Sequence, residues 1–513
     1  MAPGRVLLVA GSDCSGGAGL EAGQKVLAAQ TCYAMTATTA LTVQNTKGVS
    51  DIHVVPSEFV ERQMDACLGD IGADVVVTGM LAAADTVEVV ARQLVKHAVS
   101  TVVVDPVVVS TSGARLLPVD AVRSLVQHLL PLATVLMPNL PEVKILIDEA
   151  ELDFPDSRSA TIQSTADVEA LGRRIQALGP AWVLIKGGHL PLRTDLTVAT
   201  TTAERAVVVD VLLGPDNFVL RLQSPWQDST STHGTGCSLA AAISSGLAKG
   251  LDVPDAVRAA CRYVEAAIRT APGLGSGHGP LGHFHSTYHL PFSPGYFVEY
   301  LLARPDVSAV WRSFVHHPFV LALGHGTLPL PSFKGYIVQD YLFLIQFSRA
   351  CALAAYKANN VADIDSASQT TAYILREMQL HIKYCASFGI SLSEMQATEE
   401  HQACTAYTRY VLDVGHAQDR LALHMALAPC ILGYTAAARM LCARPETRRG
   451  GNPYWEWIRS YADDDNRRAA DRYAALLEDE MPSQPPSRIE ELVVIFIQAI
   501  KMELGFWDMF PHA

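Results

Sequence analysis

The chain of 513 residues carries ten cysteines, yet no two of them form a CxxC pair or a regular framework. In a chain of this size, scattered cysteines argue against a disulfide scaffold or a zinc ribbon and for a reduced protein. Charge is sparse too: 18% of residues are Asp, Glu, Lys or Arg, and the formal net charge is −13. No basic stripe of Lys and Arg interrupts that balance, so nucleic acid is excluded as the expected partner. The longest apolar stretch, Met425 to Ala438, falls short of the roughly 20 residues a membrane-spanning helix needs. No secretory signal is visible, because "RVLLVAGSD" at residues 5–13 reads as a first core strand. The expectation is a cytoplasmic protein that handles small molecules, without membrane or nucleic acid. No internal repeat shows, and low complexity is confined to "MPSQPPS".

Apolar residues are plentiful, at 49%, enough for more than one core. From Arg5 to about Pro272, continuous apolar runs alternate with helical patterns: "RVLLVAGSD", "ADVVVTGM", "TVVVDPVVV", "TVLMPN" and "WVLIKGG" against "DTVEVVARQLVKH" and "DAVRSLVQHLLPLA". Runs buried on both faces, with helices between them, predict an α/β domain built on a mostly parallel sheet. Ligands of such sheets bind beyond the carboxyl ends of the strands. After the Gly- and His-rich "PGLGSGHGPLGHFHSTYHLPFSPG" the strand signals stop, and long helical segments run to the C-terminus. This second half reads as all-α. The predicted division is a first domain over 1–288, a linker over 289–296 and a helical domain over 297–513.

The runs of the first half end in chemistry. "AGSDCSGGAG" is a glycine loop opening a helix, "LTVQNTKGV" places Gln44 after an apolar run, "MPNLPE" brings Asn139 and Glu142, and "IKGGH" brings Lys186. "STHGTGCSLAAAIS" is a second glycine loop, running straight into a helix. Its first backbone N–H groups and the helix dipole favour an anion such as phosphate. At the focus stands Cys237, where phosphoryl-transfer enzymes usually place an aspartate base. A thiol at a helix N-terminus is expected to have a lowered pKa, fit for a general base.

Taken in order, "SGGAG", "QNTKGV", "GML", "PNLPE", "KGGH", "HGTGC" and "GHFH" resemble the ThiD family of hydroxymethylpyrimidine and phosphomethylpyrimidine kinases, over roughly residues 5 to 285. The resemblance implies a ribokinase-like fold and two successive ATP-dependent phosphorylations in one site. It implies that Gly11, Gln44, Met80 and Val107 border the pyrimidine, and that Asn139 and Glu142 help hold Mg2+. Lys186, His233, Gly234, Thr235 and Gly236 would serve the nucleotide phosphates, and Cys237 would be the base. A thiol can also stay neutral beside the phosphate that is the second acceptor, where a carboxylate would repel it. Cys14 and Gly23 depart from the family's usual proline and aspartate. His283, His285 and His289 lie close together, but three histidines without a fourth ligand read as structural. A pyridoxal-type substrate is the alternative within the fold.

In the helical half, "KGYIVQDYLF" sets Tyr336, Asp340 and Phe343 on one helix face, and "LAPCILGY" does so for Cys430 and Tyr434. "KMELGFWDMF" adds Glu503, Phe506 and Trp507. Carboxylates on apolar faces are costly to bury unpaired, so a cysteine with two of them and several tyrosines suggests a pocket with a nucleophile and acid–base partners. With "AYTRYV" and "NPYWEWIRSYA", these motifs resemble the TenA family of thiaminases II, whose fold is haem-oxygenase-like, from about residue 297 onward. The resemblance implies Cys430 as nucleophile, with Asp340 and Glu503 on the pyrimidine and Tyr407, Tyr434, Tyr461 and Phe506 lining the site. Phe343 stands where the family has a tyrosine, so a non-catalytic pyrimidine-binding or assembly module is the alternative. The implied partners are hydroxymethylpyrimidine and its phosphate, thiamin or its aminopyrimidine breakdown products, and further copies of the chain bound through the helical half.

Overall fold

The computed structural model describes residues 3–108, 116–150 and 162–512. The chain divides into two compact units, Met1–Thr287 and Tyr288–Ala513.

The first unit is built on nine strands: β1 (Arg5–Asp13), β2 (Tyr33–Asn45), β3 (Gly48–Val54), β4 (Val75–Thr78), β5 (Val102–Val104), β6 (Val135–Leu136), β7 (Trp182–Ile185), β8 (Val207–Leu213) and β9 (Val219–Pro225). They form one sheet in the order β3-β2-β1-β4-β5-β6-β7-β8-β9. Strands β2, β1, β4, β5, β6 and β7 pair in parallel, and β3, β8 and β9 add antiparallel edges. Side chains alternate across each strand. Leu7, Val9, Val76 and Ile185 therefore pack under helices Ser57–Asp70, Ala84–Lys96 and Leu140–Glu149. Val6, Leu8, Val77 and Leu184 pack on the other face, under Gly19–Ala29, Thr235–Ala248 and Val253–Arg269. This is the expected ribokinase-like arrangement of helices on both faces of a mostly parallel sheet.

Its topology gathers the loops. Chain order reverses at β1, with β2 on one side and β4 on the other, and such a switch point opens a crevice at the strand ends. The helix Thr235–Ala248 starts there, capped by Gly234 at φ 80°. A Cβ at Gly234 would lie 1.9 Å from the Gly17 carbonyl oxygen, so the two glycine loops touch backbone to backbone. Gly234→Ala is expected to cost about 1–3 kcal/mol of stability, read as a lower melting temperature, and to weaken nucleotide binding.

The second unit is helical. Its longest members are Leu330–Lys357, Val361–Ser387, Gln402–Ala417, Arg420–Ala443 and Pro486–Trp507. Phe292, in the stretch read as a linker, packs on Phe297 of this unit at 5.1 Å between ring centres. Among the described residues Arg420–Ala443 is long and apolar enough to cross a membrane, but 78% of that apolar window is buried inside the unit, as in a core helix. Pro429 sits within it and offers no N–H to the Met425 carbonyl, one residue before Cys430.

Candidate active sites

A cavity of about 660 Å³ in the first unit is lined by Gly11, Gln44, Met80, Val107, Asn139, Glu142, Lys186 and the whole run His233 to Cys237. The loops that were read separately along the sequence thus meet at one crevice. One end is lined by Gly11, Gln44 and Met80. Met80 is held by its carbonyl, which accepts from Thr39 Oγ1 at 2.6 Å, and its methyl reaches to where a Cβ on Gly11 would stand. Cys14, the departure from proline, ties the first loop to Gln44: its sulfur donates to the Gln44 carbonyl at 3.2 Å and accepts the Gln44 N–H at 3.3 Å. Gly23, the other departure, packs on Leu8, where a Cβ would come within 2.8 Å.

The other end is electrostatic. Lys186 Nζ donates to Asp105 Oδ1 at 2.7 Å and lies 3.7 Å from Glu142 Oε2. Burial works against its charge, but the two carboxylates outweigh it and hold the ammonium above its ordinary range. Glu142 is pushed up to about 7, chiefly by burial. Cys237 departs from the sequence expectation. Its pKa rises to about 12 because burial and the Asp105 charge outweigh the Gly19 N–H and Lys186. In the free site the thiol is neutral, not a poised thiolate.

Magnesium asks for hard oxygen ligands and keeps several waters. Asp105, Glu142 and the Asn139 carbonyl supply such oxygens at this edge. However, Asn139 and Glu142 are also each other's helix cap, through bonds of 2.8 and 2.9 Å. Among the described residues no three His, Cys, Asp or Glu side chains group as a metal cage. The donor set fits an ion that arrives on nucleotide phosphates, completed by their oxygens.

His233 was expected at those phosphates. Its ring nitrogen Nε2 sits 2.9 Å from Asp13 Oδ2 and 2.9 Å from Gln44 Nε2. Burial raises Asp13, yet hydrogen bonds from His233 and Ser15 hold it well below the usual carboxylate range. Asp13 and Asp105 were missed by the sequence reading. Asp13 closes β1 and Asp105 directly follows the three valines of β5, acids at the ends of apolar runs, and that was the available signal. His283 and His285 serve packing, against Ser238 Oγ at 3.0 Å and the Tyr263 carbonyl at 3.1 Å.

In the second unit, Asp340 (4% exposed) and Glu503 (1% exposed) are buried together. Glu503 Oε1 accepts from the Tyr407 hydroxyl at 2.8 Å. Burial pushes Glu503 up to about 8 against the pull of Tyr407, with the Asp340 charge adding to the rise. Burial pushes Asp340 up to about 7. Asp340 Oδ2 and the Tyr336 hydroxyl are both buried with no hydrogen-bond partner of good geometry. Cys430 is close enough to Tyr336, Tyr407 and Tyr434 for a thiolate there to be felt by all three hydroxyls. Tyr461 packs tilted on Tyr434 at 5.4 Å, and Phe343 wedges between Tyr407 and Phe506 at 5.0 and 5.5 Å. His381, which the sequence reading missed, lies 3.6 Å from Asp340 Oδ2 and hydrogen-bonds the Ile337 carbonyl.

Raised carboxyl pKa values carry a stability signature. Below about pH 4.5 Glu503 is protonated in both folded and unfolded chains; between there and about 8 only the folded chain keeps its proton. Stability is therefore lost as pH rises through that window. Glu503→Gln is expected to remove that part of the loss, on the order of 2–3 kcal/mol relative to wild type between pH 5 and 8. Denaturant melts at both pH values check it.

Residues 13–282 match the family model of phosphomethylpyrimidine kinase. The chain belongs to the phosphomethylpyrimidine kinase family. Residues 304–512 match the TENA/THI-4/PQQC family, so the kinase is fused to a second module. The whole chain has fused relatives. A Schizosaccharomyces pombe protein, provisionally named hydroxymethylpyrimidine/phosphomethylpyrimidine kinase 2, is 40% identical over 98% of this chain and 90% of its own length. A Saccharomyces cerevisiae hydroxymethylpyrimidine/phosphomethylpyrimidine kinase is 31% identical over 98% of this chain and 94% of its own. A solved phosphomethylpyrimidine kinase of Clostridium difficile 630 is 32% identical, covers 52% of this chain and 99% of its own, and superposes with a TM-score of 0.41. As a phosphomethylpyrimidine kinase, the first unit draws its phosphoryl group from ATP.

Proposed function

We propose that the first unit phosphorylates hydroxymethylpyrimidine and then its monophosphate with Mg2+ and ATP, and that the second hydrolyses aminopyrimidines derived from thiamin to supply that substrate. The kinase half is carried by the meeting of Gln44, Lys186 and the helix-terminal loop at Cys237 in one cavity. In the loose transition state of phosphoryl transfer, positioning and charge stabilisation dominate. The orphan N–H groups of the first turn of Thr235–Ala248 and the Lys186 ammonium take the phosphate charge. Asp105 and Glu142, with Asn139, would hold magnesium, whose positive charge when bound would offset the Asp105 charge that, after burial, keeps the Cys237 thiol neutral. Neutral, that thiol leaves room for a phosphate acceptor; ionised, it takes the hydroxymethyl proton.

The hydrolase half rests on one observation: Asp340 Oδ2 and the Tyr336 hydroxyl are buried with no hydrogen bond of good geometry, beside a cysteine and a raised Glu503. Unpartnered buried polar atoms cost free energy, and a polar heterocycle with ring nitrogens and an amino group answers both. In this mechanism the Cys430 sulfur, attacking as the thiolate, forms a bond to the pyrimidine while the leaving amine departs with its bonding pair. Protonated Glu503 gives that amine its proton. Water then displaces the sulfur, returning a proton to Glu503 and releasing hydroxymethylpyrimidine.

Incubating the full chain with hydroxymethylpyrimidine, Mg2+ and ATP is expected to give the monophosphate and then the diphosphate by mass; no phosphorylated pyrimidine would overturn the kinase reading. For the second unit, a mild alkylating agent is expected to label Cys430 and stop hydrolysis. An inert Cys430 would favour a module that only binds.

A further inference from the structure

The hydrogen-bond inventory around His233 fixes more than a loop. Asp13 acts as an acceptor throughout: Oδ1 takes the Ser15 N–H at 2.9 Å and hydroxyl at 2.7 Å, and Oδ2 takes the Gly17 and Ala18 N–H groups at 3.0 and 2.8 Å. The ring nitrogen 2.9 Å from Oδ2 must therefore carry a proton, so His233 is protonated at Nε2. A protonated nitrogen has no lone pair for a second donor, yet Gln44 lies 2.9 Å from that same Nε2. Only the Gln44 carbonyl oxygen can face it there, sharing the one N–H with Asp13, because the amide NH2 would meet it donor to donor. The other end of the amide makes the same demand independently. Thr42 Oγ1 has one hydrogen, and the Ser12 carbonyl at 2.9 Å can only accept it. Thr42 is then an acceptor toward Gln44, 3.2 Å away, and needs its N–H2. An amide with its oxygen toward His233 and its nitrogen toward Thr42 suits both neighbours at once.

We infer that Asp13, acting through His233, and Thr42 are specificity-determining positioning residues that lock the Gln44 amide in one orientation and so select an aminopyrimidine over a pyridoxal-type ring. The inference rests on the kinase reading of this site. An aminopyrimidine presents a ring nitrogen, an acceptor, directly beside an amino donor. The remaining Gln44 N–H and carbonyl lone pair match that edge in one direction: ring nitrogen on the Thr42 side, amino group on the His233 side. A pyridoxal-type ring sets its hydroxyl one ring carbon further from the nitrogen and lacks this adjacent pair. A site built for a hydrogen-bonding edge rejects a ligand that cannot complete it, because its own polar groups are left unpaired. Cys14 holds the Gln44 backbone from the other side, so the freedom left to the side chain is this rotation.

The test compares kcat and KM for hydroxymethylpyrimidine and pyridoxal in the full-length wild type, Asp13→Ala and Thr42→Val. Each variant is expected to lower the ratio of kcat/KM values, hydroxymethylpyrimidine over pyridoxal, by about tenfold, the worth of one hydrogen bond, mainly through KM for the pyrimidine. Equal losses on both substrates would make Asp13 and Thr42 merely structural and overturn the inference. If Asp13→Ala does not fold, Thr42→Val alone decides. Nitrogen NMR of wild-type histidine, assigned with His233→Asn, gives an independent readout. The Nε2-protonated form is expected for His233, and the Nδ1-protonated tautomer would overturn the inference. Absence of pyrimidine phosphorylation in the wild type would instead sink the kinase reading.

Discussion

Cys430→Ser is expected to lower release of hydroxymethylpyrimidine from aminopyrimidine substrates by about 10³-fold or more, with phosphorylation by the first unit unchanged. The size follows from the role. Serine keeps the volume and the hydrogen bonding but is a far weaker nucleophile, and the rest of the pocket supplies no substitute. The buried carboxyls beside it are raised by desolvation, Asp340 to about 7 and Glu503 to about 8, so that Glu503 is the one mostly neutral at pH 7. An acid with that pKa can give its proton at neutral pH and is spent above it. Hydrolysis by the wild type is therefore expected to fall as pH rises past about 8, and Glu503→Gln to lose both the rate and that alkaline limb. A Cys430→Ser variant with near-normal turnover would mean that water attacks without a covalent step.

Cys237 is the second large effect. Cys237→Ala is expected to slow phosphorylation of hydroxymethylpyrimidine by roughly 10²–10³-fold, within the range of a lost general base. Cys237→Asp separates the two uses of the thiol. A fixed carboxylate can take the hydroxymethyl proton, but it adds a negative charge to a pocket that already holds Asp105 and Glu142, and it repels a phosphate acceptor. The variant is expected to keep more of the first phosphorylation than of the second, by tenfold or more, read as build-up of monophosphate at fixed ATP. Equal losses in the two steps would refute the charge argument and leave Cys237 as a base alone.

The strands the sequence announced were those buried on both faces. "RVLLVAGSD", "ADVVVTGM" and "WVLIKGG" are β1, β4 and β7 because a parallel strand between two helix layers is apolar throughout. β2 is rich in Ala and Thr, and β9 alternates exposed and half-buried positions, so neither reads as a continuous run. The helix Arg420–Ala443 was legible despite Pro429, since its apolar period continues past the proline. Side-chain chemistry at the loop ends was also legible. Protonation was not: whether Cys237 is a thiolate depends on burial and on Asp105, which is 132 positions away in the chain, and no local motif encodes either. Likewise, the turn of His233 toward Gln44 depends on Asp13, brought to it by the sheet.

The most direct single measurement gives the intact chain aminomethylpyrimidine, Mg2+ and ATP together and follows the pyrimidine by mass. The expected product is the pyrimidine diphosphate, which requires hydrolysis in the helical unit and both phosphorylations in the other. Aminomethylpyrimidine left unchanged, by a protein that phosphorylates hydroxymethylpyrimidine twice, would contradict the coupling of the two halves.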